Sequence, residues 1–210
     1  MSFKEERIHV LRSSRVYVAG EKSGPTIIAL HGYGQLGKYF SEKFQPLVDA
    51  GFQVVVPEGL HRFYLEGFRG RVGASWMTKE DRLTDILEQK TYLDQLFEDL
   101  DLKPEKTTIV AFSQGIATAA RWLQSSMIQV RQLILWAGNF PPDLDLAQVE
   151  SYWSSLDIHY VFGDSDEFFN QTRIEELYSD LESRGLEFTR HSGDFKHELN
   201  SDLLLRLANK

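Results

Sequence analysis

Residues 109–115 read Ile-Val-Ala-Phe-Ser-Gln-Gly, an apolar run that stops at a serine and passes through Gln-Gly into small residues. A strand turning sharply into a helix here would hold Ser113 out at the strand's end, where its hydroxyl can act as a nucleophile. Such a turn needs small side chains on both flanks, usually as Gly-x-Ser-x-Gly. Ala111 takes the first glycine position and Gly115 keeps the second. Gly115, Ala117, Ala119 and Ala120 then give the following helix a thin face, suited to close packing under a sheet. The helix N-terminus would also offer amide groups and a favourable dipole to a developing negative charge. A serine at a strand end also serves as an ordinary helix cap, so the chemistry depends on partners elsewhere in the chain.

A serine nucleophile needs a general base and an acid to orient it, and in this arrangement the acid and then a histidine follow along the chain. Of six histidines, His191 and His197 come late enough. His191 falls inside a predicted strand, where the pleat fixes its direction. His197 follows Ser192-Gly193-Asp194 in a loop before a helix and is the candidate base. For the acid, the apolar run 158–162 leads into Gly163-Asp-Ser-Asp-Glu, where Asp164, Asp166 and Glu167 compete. Asp166 is preferred: Gly163 turns the chain, and a residue three further on can point back at the histidine. Asp164 then becomes a solvated turn acid. Two backbone amides must meet the oxyanion. Gln114 directly follows the nucleophile, and Tyr33 lies between Gly32 and Gly34 in Leu30-His-Gly-Tyr-Gly-Gln. His31 precedes Ser113 and reads as a structural brace for that loop.

Short apolar runs alternate with helical patterns, as in a mainly parallel sheet covered by helices. Strands are expected at 7–13 and 15–19 (an edge hairpin), then at 26–31, 52–56, 107–112, 132–136, 158–162 and 187–191. Helices are expected at 38–50, 81–100, 115–123, 171–184 and 198–208, with a long loop from 58 to 78. There is no repeat, low-complexity segment or linker, and 210 residues suit a single domain, 1–210. Hydrophobic content of 42% and a net charge of −8 describe an acidic globular chain without the basic footprint of nucleic-acid binding. The chain has no cysteine, which excludes disulfides and a thiol nucleophile. The first residues carry acids and no signal-peptide core. No apolar run approaches the roughly 20 residues that span a bilayer. A cytoplasmic protein with no stable membrane association is expected, and self-association into a homodimer stays open.

With His31-Gly-Tyr-Gly, Phe112-Ser-Gln-Gly, Gly163-Asp-Ser-Asp and Lys196-His-Glu in this order, the chain resembles the phospholipase/carboxylesterase family of α/β-hydrolases. That group includes acyl-protein thioesterases and small bacterial carboxylesterases, and the correspondence runs over about residues 26–199. The Phe-Ser-Gln-Gly elbow matches residue for residue; Ala111 and the segment 60–79 depart from the pattern. The resemblance implies an α/β-hydrolase fold, a mainly parallel central sheet of about eight strands with helices on both faces. It also implies a serine esterase or thioesterase without cofactor or metal, acting on a small-molecule ester or thioester. The family acid falls on Asp166 and its histidine on His197. A serine peptidase and a non-catalytic binding protein on the same scaffold are the rival classes.

The segment at about 58–80 is long for a connection in a compact domain, and such lengths usually signal function. It is expected to form a cap or pocket loop with Phe63, Tyr64, Phe68 and Trp76 as apolar walls. Between His61 and Gly73 three arginines (Arg62, Arg69 and Arg71) face only Glu66. They would either pair with Glu80, Asp81 and Asp85 and pin the loop down, or favour an anionic substrate.

Overall fold

The computed structural model describes residues 2–209. Its strands are β1 (Val16–Ala19), β2 (Thr26–Leu30), β3 (Gln53–Pro57), β4 (His61–Glu66), β5 (Arg69–Ser75), β6 (Thr107–Phe112), β7 (Gln132–Trp136), β8 (Ile158–Gly163) and β9 (Thr189–Gly193). Its helices are α1 (Gly37–Ser41), α2 (Gln45–Asp49), α3 (Arg82–Asp99), α4 (Gln114–Ser126), α5 (Glu150–Trp153), α6 (Gln171–Ser183) and α7 (Ser201–Ala208), with short 3-10 turns between some of them. Among the described residues no helix is long and apolar enough to cross a membrane.

Seven strands form the central sheet in the order β1-β3-β2-β6-β7-β8-β9. Only β1 runs antiparallel, against β3; all other neighbours are parallel. The inner strands are buried along their whole length, as strands covered on both faces must be. The edge strands β1 and β9 are partly exposed. From the centre of the sheet the chain moves one way through α1 and α2 to β3, and the other way through α4 to β7. Right-handed crossovers therefore place those helices on opposite faces. α3 packs beside α4, and α7 beside α2.

The sheet has seven strands rather than about eight because residues 7–13 are irregular. Their alternating pattern has nothing to bury against: Ile8, Val10 and Leu11 are exposed, and β1 pairs with β3 instead. Arg7 holds this arm to Asp81 at 2.9 Å, and Arg12 donates to the Leu60 carbonyl. The helix expected over 38–50 is broken into α1, a 3-10 turn (Glu42–Phe44) and α2. Pro46 stands in the first turn of α2, a place where its missing N–H does no harm but where it cannot continue a preceding helix. α7 starts at Ser201 rather than at residue 198, because the Asn200 side chain caps it by accepting from the Leu203 amide at 3.0 Å.

The segment expected as a long loop is a β-hairpin. β4 and β5 pair antiparallel, Glu66 faces Arg69, and Gly67-Phe68 makes the turn. Gly67 has φ +71°, the conformation a two-residue turn beginning with glycine requires. The hairpin docks on the loop after β2: the Gly34 amide donates to the Ala74 carbonyl at 2.8 Å, and the Ala74 amide to the Gln35 carbonyl at 3.2 Å.

Candidate active site

Ser113 stands between β6 and α4 with φ +53° and ψ −114°. A non-glycine residue in that region stores on the order of 1–3 kcal/mol of strain, which the surrounding packing must hold. The holding contacts are local. The Ser113 amide donates to the Trp136 carbonyl at 2.8 Å. Ala111, fully buried, is paired between Leu30 and Leu135 of the neighbouring strands. A Cβ on Gly115 would lie 2.4 Å from the Leu30 carbonyl oxygen, so the position demands glycine.

The structure brings Ser113, Asp166 and His197 together at the end of the sheet. His197 Nε2 lies 3.2 Å from Ser113 Oγ, and His197 Nδ1 lies 2.8 Å from Asp166 Oδ2. The Asp166 side chain is fully buried, and its other oxygen accepts from the Phe168 and Phe169 amides at 2.8 and 3.2 Å. Those bonds satisfy a buried carboxylate and fix its direction. Asp164 is exposed to solvent. His191 is on β9 and meets His159 at 2.8 Å.

Gly163 sets the distance between the acid and histidine loops. A Cβ there would fall 2.0 Å from the Phe195 carbonyl oxygen and 2.8 Å from that of Lys196. The backbone of 195–196 therefore runs directly against the end of β8, and the Ser165 amide donates to the Phe195 carbonyl at 3.2 Å. Gly163→Ala is expected to cost about 3 kcal/mol in stability, the upper range for forcing a group into a packed site. It should also lower kcat by roughly 100-fold through misplacement of His197. Chemical denaturation and steady-state rates on the same preparation check both effects.

The Tyr33 and Gln114 amides find no acceptor among the described residues. The Gln114 side chain is fully engaged. Its Oε1 accepts from the Trp76 amide at 3.1 Å, and its Nε2 donates to the Met77 carbonyl and Ser75 Oγ, each at 3.0 Å. The elbow is thereby tied to the residues leaving the hairpin.

His31 braces the loop that carries Tyr33. Its Nδ1–H donates to the Gly32 carbonyl at 2.7 Å, and its Nε2 accepts from the Gly59 amide at 2.9 Å. Trp76 stacks on the ring at 4.9 Å and donates from Nε1 to the His31 carbonyl at 2.8 Å. Burial lowers the His31 pKa to about 4. An unfolded chain takes up that proton near pH 6.5, so between these values the unfolded state binds more protons than the folded one. Stability should fall as pH drops through this window, by roughly 3 kcal/mol from this group. His31→Asn should flatten that part of the pH–stability profile; an unchanged slope in thermal melts from pH 6.5 to 4 would remove His31 as its source.

Trp76, expected as a pocket wall, is instead a buried brace with no exposed surface, because its indole N–H and ring are both spent on His31. Phe68 stands exposed at the hairpin turn, Tyr64 is half exposed, and Phe63 packs on the Tyr33 ring at 5.2 Å. Among the described residues none of the three arginines pairs with Glu80, Asp81 or Asp85. Arg62 Nε lies 3.0 Å from the buried carboxylate of Glu58, while Arg69 and Arg71 make no ion pair among the described residues. Asp85 is held by His61 at 2.9 Å and Asp81 by Arg7. Two aromatics escaped the sequence reading. The Phe168 ring meets the His197 ring edge-on at 4.8 Å, and Phe169 stacks near it at 6.2 Å. Their place directly after Asp166-Glu167 was the available signal. Among the described residues no group of three or more His, Asp or Glu side chains is placed to hold a metal ion.

Comparison with known proteins agrees with this architecture. Acyl-protein thioesterase 2 of Zea mays superposes with a TM-score of 0.70 at 17% identity, covering 94% of this chain and 97% of that one. A Bacillus cereus carboxylesterase superposes with a TM-score of 0.66 at 17% identity, covering 93% and 92%. At such identities the likeness is one of fold. The AB hydrolase superfamily protein YfhM of Bacillus subtilis is 40% identical over 43 residues, a stretch covering 20% of this chain and only 15% of that protein. The resemblance drawn from the motifs holds at the level of family and fold. A family model described as serine hydrolase (FSH1) matches residues 22–197, a span that holds Tyr33, the serine elbow, Asp166 and His197, and the chain belongs to that family.

Proposed function

We propose that this chain is a serine esterase or thioesterase that works as one α/β-hydrolase domain through an acyl-enzyme on Ser113. The observation that carries the reading is the continuous line from Ser113 Oγ through His197 to the buried Asp166, with contacts of 3.2 and 2.8 Å. With Nδ1–H donated to Asp166, the Nε2 lone pair of His197 faces the serine hydroxyl and can take its proton. The oxygen then attacks the carbonyl carbon of an ester or thioester. Asp166 holds the imidazole in this tautomer and stabilises the imidazolium. The Tyr33 and Gln114 amides, free of partners among the described residues, would donate to the tetrahedral oxyanion. A donor of that kind contributes about 3–4 kcal/mol. His197 returns the proton to the departing alcohol or thiol, and water attacks the acyl-enzyme by the same route in reverse.

Purified protein assayed on p-nitrophenyl butyrate, a matched thioester and a short peptide amide tests the reading. Turnover of the ester or thioester with negligible amide cleavage is expected. Turnover of the amide alone would make the chain a peptidase, and no turnover of any would favour a binding protein.

A further inference from the structure

A cavity of about 820 Å³ opens between β4–β5, α1 and the start of β1, and every charged side chain lining it is basic: Arg15, Lys43, Arg62 and Arg71. Random placement would not favour this, since the chain carries 31 acidic against 23 basic residues. A buried carboxylate is near, and the Glu66 carboxylate lies over Gly70, the neighbour of Arg71. Glu58, 1% exposed, has one oxygen 3.0 Å from Arg62 Nε and the other accepting from the Gly37 amide at 3.0 Å. The side chains of Arg15, Lys43 and Arg71 make no ion pair or hydrogen bond among the described residues. Between the charges the walls are apolar, with Leu36, Phe40, Leu65 and Val72. An apolar concavity with a few convergent polar groups is the usual form of a ligand site. Low-dielectric walls strengthen the field of like charges gathered around them.

The cavity shares a wall with the candidate active site. Gly34 and Gln35 line it, and Gln35 Oε1 accepts from the Gly32 amide at 2.8 Å. Gly32 in turn abuts the nucleophile: a Cβ there would lie 3.2 Å from Ser113 Cβ. From Gly32 to Gln35 the chain spans at most about 11 Å. A substrate whose carbonyl is at Ser113 can thus lay a chain of medium length over this loop and set its far end among the cations.

We propose that the enzyme selects esters or thioesters carrying an anionic group, such as a carboxylate, remote from the scissile bond, and that Arg15, Lys43, Arg62 and Arg71 bind that group. This rests on the esterase reading of Ser113. The anion can sit at the end of the acyl chain or on the alcohol, and the chemistry of recognition is the same. Arg62 is already engaged by Glu58, which leaves Arg15, Lys43 and Arg71 as the cations whose removal uncovers no buried charge; Lys43 and Arg71 are the two chosen for replacement.

Two matched pairs of substrates separate the sources: p-nitrophenyl octanoate against mono-p-nitrophenyl octanedioate, and phenyl octanoate against 4-carboxyphenyl octanoate. In one pair kcat/KM should favour the anionic member by about tenfold or more, mainly through KM, and the preference should shrink with added salt. In the double variant Lys43→Gln/Arg71→Gln that anionic-to-neutral ratio should fall close to one. The ratio is insensitive to a folding defect, which lowers both members alike. Equal rates within both pairs, or a preference that survives the double variant, would overturn the proposal. If no ester is turned over, the esterase reading fails by itself. Calorimetric titration with octanedioate then decides for the cavity: binding lost in the double variant supports the anion site, and no binding to the wild type overturns it.

Discussion

Ser113→Ala is expected to lower kcat on a good ester by four to six orders of magnitude, approximately the cost of removing the serine of a working Ser-His-Asp set. Protein stability should be unchanged or slightly higher. The substitution removes the hydrogen bond between Oγ and His197 Nε2, while the backbone bond from the Ser113 amide to Trp136 remains. Active-site side chains are commonly held at the expense of stability, so truncating one seldom harms the fold. The residual rate should stay above that in water, because the Tyr33 and Gln114 amides proposed as oxyanion donors would be unaffected. A loss of tenfold or less, measured with folded protein, would remove Ser113 from the reaction.

Asp166→Asn should be nearly as severe, at roughly 10⁴-fold in kcat. The geometry gives the reason. One Asp166 oxygen accepts from the Phe168 and Phe169 amides and the other faces His197 Nδ1. Asparagine can keep only one oxygen, and two backbone donors compel it to point there. Its NH₂ then faces Nδ1 and donates, which drives the ring proton to Nε2. In that tautomer His197 has no lone pair to accept the serine proton. Asp164→Asn, two residues earlier on an exposed turn, should change rates by no more than roughly twofold. The pair of variants therefore tests both the acid's identity and the mechanism of its action.

The parts of this molecule that were legible in sequence are those where one physical rule dominates. β2, β3, β6, β7 and β8 are covered on both faces and so read as uninterrupted apolar runs. Ser113, Asp166 and His197 follow β6, β8 and β9, so all three lie at the end where a parallel sheet presents its loops. Residues 7–13 misled because alternation records only that a segment could pair, and no strand edge is used for it. The hairpin was hidden by its length and arginines, although Gly67-Phe68 between β-prone residues was a turn signal. Trp76 illustrates a deeper limit. Its type suits a pocket wall or a core brace equally, and only the position of His31 decides between them. The cationic cavity was half visible: Arg62 and Arg71 stood out as a local excess, but Arg15 and Lys43 join them only once β1, α1 and the hairpin are packed together.

All of the chemistry proposed for this chain turns on Ser113 being an activated nucleophile, which covalent labelling probes without knowledge of the substrate. Wild-type protein treated with a fluorophosphonate should gain a single adduct, located by peptide mass spectrometry at Ser113. The adduct should be absent from Ser113→Ala and form far more slowly in His197→Ala. A folded wild-type protein that takes no label, or a label that persists in Ser113→Ala, would overturn the assignment of Ser113 as nucleophile.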